Sequence, residues 1–358
     1  MKIKILILLL LFIPLHSIAQ KNIEVKINKN VEFMSMLGWL IFIGEKYENG
    51  QEYINWNNQK FQIDSYKRFK RFANSKNIET LKKTYENEGF DSYLYLFSQL
   101  DNFPNCKLKN EIDSKYYLYL NDSMTISEAK ENTIIIINDL NKLYVETQFE
   151  KFWKKNKNLY KNALKEVKHS LPNKRFINEM ERFYNNKTYT GYILNPSLLI
   201  PSGWGFGPNI NNNVYNFFGS FNGLNLEEKS TGFNDKTELI ELSTHEYGHS
   251  FVNPIIDSIN QELIKSKDYL FEPIRKDMKS QGYSNWKTCL YEHFVRAGEI
   301  IIAENLGDYK TSERLQKDYI ENRKFIYIPL ILEKYKIYNK MENKNFKETV
   351  EQIIKEMK

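Results

Sequence analysis

Cysteine is nearly absent: the 358-residue chain has two, Cys106 and Cys289. That excludes a disulfide-stapled scaffold and a cysteine-ligated zinc site. It leaves at most one bridge, which an oxidising compartment would permit and whose spacing carries no metal or redox signature. Long apolar runs are missing after the first twenty residues. The next most apolar stretch, Met36 to Ile43, is far too short to span a bilayer. There are no internal repeats and no low-complexity linker. A basic stripe is lacking as well. The formal charge is +6, with basic and acidic residues interleaved, as in Lys142 to Lys168. Such interleaving describes a solvated charged surface, and no nucleic-acid partner is expected. Histidine is scarce too, with five in the chain.

The first 19 residues read as an export signal. Lys2 and Lys4 supply positive charge, Ile5 to Leu15 an apolar run broken by Pro14, and Ser17-Ile18-Ala19 a small-residue cleavage site. The run is too short to span comfortably, so an exported protein, periplasmic or extracellular, with no stable membrane span after signal removal is expected. About 340 residues then remain, enough for one large or two modest domains with a substantial core.

Along the chain, Ile23, Val25 and Ile27 alternate with polar residues and predict a short strand. From Val31 to about Tyr184 apolar residues recur at helical spacing, as in Phe33, Leu37 and Leu40, or Ile134, Ile137 and Leu140. Composition then shifts sharply. Between Gly191 and Gly232 lie seven of the fifteen glycines and three of the nine prolines. Two strand-like runs, Tyr189 to Ile200 and Val214 to Phe221, flank a Gly-, Pro- and aromatic-rich loop, which predicts a hairpin or small sheet. From Asp235 the pattern is helical again, with Asp235 and Glu238 as a capping-box start and Asn253-Pro254 as the stop of that helix. Later helices are expected over 255–267, 271–281, 285–305 and 311–322, with two more toward Met357.

That helix carries His245-Glu246-Tyr247-Gly248-His249, an H-E-x-x-H pentapeptide. Residues four apart on a helix face the same way, so His245 and His249 can offer two imidazole nitrogens to one metal ion. Glu246 stands beside them, where it can accept a proton from an attacking water. With histidine this rare, a chance match should occur on the order of once in two hundred such chains. A helix bearing only structural histidines has no reason to place glutamate beside the first. Gly248 costs helix stability, about 1 kcal/mol against alanine, and is tolerable where another backbone or a substrate approaches closely.

A catalytic zinc needs a third protein ligand and an open fourth position. The extended pattern H-E-x-x-H-x-x-G-x-x-H is excluded, because Val252 and Ile255 occupy the glycine and third-histidine positions. The candidate source is a second helix, Asn285 to Ala297 and beyond, which carries Glu292, His293, Arg296 and Glu299. Glu292 is the first choice, followed by His293 and then Glu299. The adjacent Glu-His pair diverges by about 100°, so one member ligates and the other serves the surroundings or substrate. Glu292, Arg296 and Glu299 share a face. Arg296 would hold a carboxylate, stabilise an oxyanion, or pair with Glu292 or Glu299.

At these residues the sequence resembles the gluzincin class of zinc metallopeptidases, defined by H-E-x-x-H and a glutamate on a following helix. More narrowly, H-E-Y-G-H-S-F-V-N-P at His245 to Pro254, with E-H-F-V-R-A at Glu292 to Ala297, resembles a family of exported bacterial proteins known as a domain of unknown function with peptidase character. The likeness is strongest over residues 190–307. Gluzincins often show aspartate four residues after the ligating glutamate; here Arg296 stands there, a departure that bears on the metal's surroundings and on substrate preference. The resemblance implies one Zn2+ per chain on His245, His249 and Glu292, with Glu246 as general base. It implies an α+β, mostly helical fold: a signal at 1–19, a helical region at 20–186, a zincin-like catalytic domain with a small sheet and an active-site helix at 187–325, and C-terminal helices packing on it at 326–358. The expected activity is hydrolysis of a peptide or protein substrate, with a second oxyanion donor to be found among Tyr, His or Arg. Two other readings remain open: a non-enzymatic exported binding protein with a structural or vestigial metal site, and a zinc amidase acting on a cell-envelope substrate.

Overall fold

The computed structural model describes residues 22–343 and 345–358; the expected export signal lies outside them. The chain is mostly helical with one small mixed sheet, as its periodicities predict. The short N-terminal strand β1 (Ile23–Val25) leads into α1 (Lys29–Gly38), capped by the Asn28 side chain. Helices at Lys60–Phe69 and Lys76–Glu88 follow, then α2 (Phe90–Phe97), α3 (Ile126–Glu146) and α4 (Lys157–His169) among shorter pieces. The sheet is completed by β2 (Gly191–Pro196), β3 (Gly205–Phe206), β4 (Asn209–Ile210) and β5 (Asn213–Phe218).

The two strand-like runs do form a sheet, but they do not form a hairpin with each other. Strand β2 pairs parallel to β5 and to β1. The chain crosses back between them, and β3 and β4 then run antiparallel along the far side of β5. The tight hairpin is β4–β5, whose connecting Asn211 and Asn212 both take positive φ, the backbone a two-residue primed turn requires. Strand β5 is therefore interior, and the outer strands on this side are the short β3 and β4.

Alternation along β5 sends its side chains into two different cores. Val214 and Phe218 join Tyr192 and Leu194 of β2 in a cluster with the C-terminal helices. Phe217 joins Leu199, Ile200, Ile210 and the N-terminal helices in another. Cys106 is buried in the second cluster and Cys289 in the first, and both thiols are free.

Two long helices dominate the first cluster. Helix α5 (Lys236–Asp257) starts where the Asp235 carboxylate accepts the Thr237 and Glu238 amides. Helix α6 (Trp286–Leu306) starts at an Asn285 cap and stops at Gly307 with φ 85°. Helix α7 (Ile328–Asn339) and helix α8 (Phe346–Glu356) close the same core. Contrary to expectation, α5 does not end at Pro254. Proline removes a hydrogen bond to the carbonyl four residues back, at Ser250. The buried Tyr189 hydroxyl donates to that carbonyl instead, so the helix continues for three residues past the proline.

Helices α5 and α6 pack closely because both carry glycine where they meet. A Cβ at Gly248 would stand 3.0 Å from Val295 of α6, and one at Gly298 would stand 2.3 Å from the Tyr184 hydroxyl. Tyr184 lies just beyond the helix Arg175–Phe183 and is wedged between the two. The neighbour that Gly248 admits is a packed helix rather than a substrate.

Candidate metal centre

The i, i+4 spacing on α5 sets His245 and His249 side by side, and α6 brings Glu292 up to them. The two Nε2 atoms are 3.2 Å apart. Glu292 Oε2 lies 3.7 Å from His245 Nε2, and its Oε1 lies 3.4 Å from His249 Nε2. Zinc bonds of about 2.0–2.1 Å in tetrahedral directions place ligand atoms roughly 3.3–3.4 Å apart. The separation of the two nitrogens is close to that edge length, and Glu292 meets each imidazole with a different carboxylate oxygen; one ligand atom from each of the three residues lies within 4.8 Å of the others.

The other ring nitrogens are also occupied. His245 Nδ1 lies 2.7 Å from Glu299 Oε1, and His249 Nδ1 lies 3.2 Å from Asn253 Oδ1. A carboxylate or amide oxygen can only accept, so each Nδ1 donates and each Nε2 then turns a lone pair toward the other. Two imidazole lone pairs and a carboxylate within 3.7 Å repel one another unless a cation or proton lies among them. The donor set fits a metal ion.

Electrostatics prepare the carboxylates differently. Burial alone would raise the Glu292 carboxyl, but the Arg296 guanidinium and the two imidazoles outweigh it and hold it well below the usual range. Arg296 Nη2 sits 3.1 Å from Glu292 Oε2. For Glu246, 7 % exposed, burial dominates and pushes the carboxyl above its ordinary 4.5 against the pull of the imidazoles. For His249, burial opposes the charged form, yet Glu292 prevails and lifts the imidazole to about 9. A metal must therefore displace a proton there.

The sequence-derived candidates divide clearly. His245, His249 and Glu292 converge, Glu246 lies beside them, and Glu299 supports His245 while accepting a 2.6 Å hydrogen bond from Tyr319. Arg296 backs Glu292 and also donates to the Tyr283 hydroxyl at 3.0 Å. His293 turns away. Its Nδ1 lies 2.8 Å from the Cys289 carbonyl, its ring packs on Phe325 and Tyr327, and burial lowers it to about 4. It is a neutral core histidine.

The group borders an open cleft of about 700 Å³. One wall is the loop segment 203–207, which carries the short strand β3. This loop lies on α5 so closely that a Cβ at Gly207 would stand 2.1 Å from the Glu246 carbonyl oxygen, and one at Gly205 would stand 2.6 Å from the Glu246 carboxylate. Tyr283 borders the opposite side, and Tyr95 reaches in from α2. Sequence reasoning missed Asn253, Tyr283 and Tyr95. Asn253 had a usable signal, one turn beyond His249. Tyr95 had none, standing far off in a region that reads as ordinary helix.

The class of centre is thus a buried carboxylate from one helix facing two histidines of another, a group that could hold a metal ion. The chain belongs to a family described as a domain of unknown function (DUF4932), whose model matches residues 23–357. Comparison with curated proteins and with solved structures returns no match.

Proposed function

We propose that this protein is an exported zinc metallopeptidase of zincin-like, gluzincin type, with His245, His249 and Glu292 as ligands. The observation that carries the reading is the convergence of His245, His249 and Glu292, with the two Nε2 atoms 3.2 Å apart, a Glu292 oxygen facing each and both Nδ1 atoms engaged, beside a glutamate facing an open cleft. Zinc, when bound, supplies Lewis acidity and makes a water nucleophilic near neutral pH.

The protein's own groups do the rest. Glu246 accepts the proton of the attacking water and passes it to the leaving amine, a role favoured by burial, which raises its carboxyl above the ordinary value. Glu299 and Asn253 hold the imidazole rings in the ligating tautomer. Tyr283 borders the cleft, accepts from Arg296 and is hydrogen-bonded to Glu292, and a turn of its hydroxyl from Glu292 to the carbonyl oxygen would supply a donor there as charge develops. The edge available to an extended substrate is that of β3, since β5 is paired along both sides and, of the two outer strands beside it, β3 lines the cleft.

The test has two parts. The purified protein should carry near one zinc per chain, lost when His245 and His249 are both replaced by alanine. Glu246→Gln should keep the metal while kcat falls by about 10²–10⁴-fold. A Glu246→Gln variant of full activity would remove this assignment.

A further inference from the structure

Resting on that reading, we infer that the site cuts internal bonds of an extended chain, next to an aromatic or bulky apolar side chain, and that the N-terminal helices help to select that side chain. The charged groups lining the cleft are His245, His249, Glu246 and Glu292, all committed to the metal or the proton. Arg296, the cation nearest to them, is 5 % exposed and held by Glu292 and Tyr283. A free α-amino or α-carboxylate group is charged, and moving it out of water is costly without an opposite charge to receive it. Among the residues that line this cleft no such partner is left for either chain end. A neutral peptide backbone needs none.

The walls say what the cleft prefers instead. Trp204 and Phe206 line it, both partly exposed. Their rings are 6.2 Å apart and crossed edge to face. Each is backed by the N-terminal helical region: Trp204 by Tyr53 at 5.9 Å and Phe206 by Phe90 at 5.6 Å. Tyr95 adds a third ring from the same region. Aromatic surface left in contact with water gains most when a flat or bulky apolar side chain covers it. Because the backing rings come from the N-terminal helices, the wall exists only with both parts of the molecule in place. This gives the helical half a function that its sequence does not display.

The experiment uses zinc-loaded protein and two matched sets of ten-residue peptides, one with free ends and one acetylated and amidated. Within each set a single central residue is Phe, Leu, Ser or Asp. Blocked and free peptides should be cut internally at rates within about threefold of each other, and kcat/KM for Phe should exceed that for Asp by about tenfold or more, the size of effect one buried side chain can give. Trp204→Leu, checked for folding by its thermal melt, should shrink the Phe-to-Ser ratio mainly through KM; Phe90→Leu, behind the wall, should shrink it too. Stepwise release of residues from free ends alone, or a Phe-to-Ser ratio near one, would overturn the inference and leave the hydrolase reading standing. Failure to cut any peptide in either set would overturn both.

Discussion

The two candidate ligand imidazoles differ in what holds them. His245 leans on a carboxylate, Glu299, which is itself fixed by the Tyr319 hydroxyl. His249 leans on a neutral amide one turn along its own helix. A carboxylate behind an imidazole makes the ring a more basic ligand and locks its tautomer. Glu299→Gln keeps the shape and an acceptor but loses the charge, and should weaken zinc binding by about 10-fold, within the usual 10–100-fold range for such partners. Competition against a chromophoric chelator measures this. An unchanged zinc affinity would show that Glu299 has no role in the centre. His293 is the instructive miss at this scale: adjacency to Glu292 made it a candidate, but the turn of the helix sends it into a core of rings.

At the scale of elements, α5 shows how a local signal can be overruled. Asn253-Pro254 reads as a helix stop, because proline deprives the Ser250 carbonyl of its donor. Tyr189, from the segment leading into β2, donates to that carbonyl and keeps it satisfied. Tyr189→Phe would leave a buried acceptor without this partner and should destabilise the fold by about 1–3 kcal/mol. Urea unfolding would register it, and a variant as stable as the parent would refute the account. The continuation matters to the site, since Asn253 must stay helical to reach His249. The hairpin half of the hairpin-or-sheet expectation fails for a related reason. Alternation along two strands reports which faces are buried, but it carries no information on strand direction. The glycine-rich loop between them carries the chain across and adds β3 and β4 beside β5, which leaves β2 and β5 parallel. Gly205 and Gly207 let that loop lie on α5, next to Glu246.

Across the whole molecule, the sheet separates two apolar cores, and Glu32 ties them together. This α1 carboxylate is fully buried, accepts the Leu198 amide at 3.0 Å and the Tyr160 hydroxyl at 3.1 Å, and so links the N-terminal helices, α4 and the start of the loop that forms the cleft wall. Burial raises its carboxyl from 4.5 to about 7. Between those values the folded protein holds a proton that the unfolded chain has released. Its contribution to stability is therefore fully present below about pH 4.5 and is lost as pH rises through 7. Glu32→Gln removes that loss. At pH 8 the variant should be more stable than the parent by on the order of 2–3 kcal/mol, with the difference shrinking toward pH 4.5. Denaturant titrations across that range decide it; a difference independent of pH would refute the assignment.

The helical character of the chain, its small sheet and the pairing of His245 with His249 were legible in the order of residues, because each depends on periodicity within a single segment. A four-residue step on a helix fixes a direction without help from the rest of the fold. The nomination of Glu292 also came from the sequence, but only the packing of α6 against α5 through Gly248 and Gly298 chose it over His293 and Glu299. The same holds for Asn253 behind His249, Tyr283 behind the cleft, and the aromatic wall that residues 53, 90 and 95 complete. These are contacts between elements remote in the chain. They are decided by how helices and loops seat against one another, a property of the assembled core that no local spacing encodes.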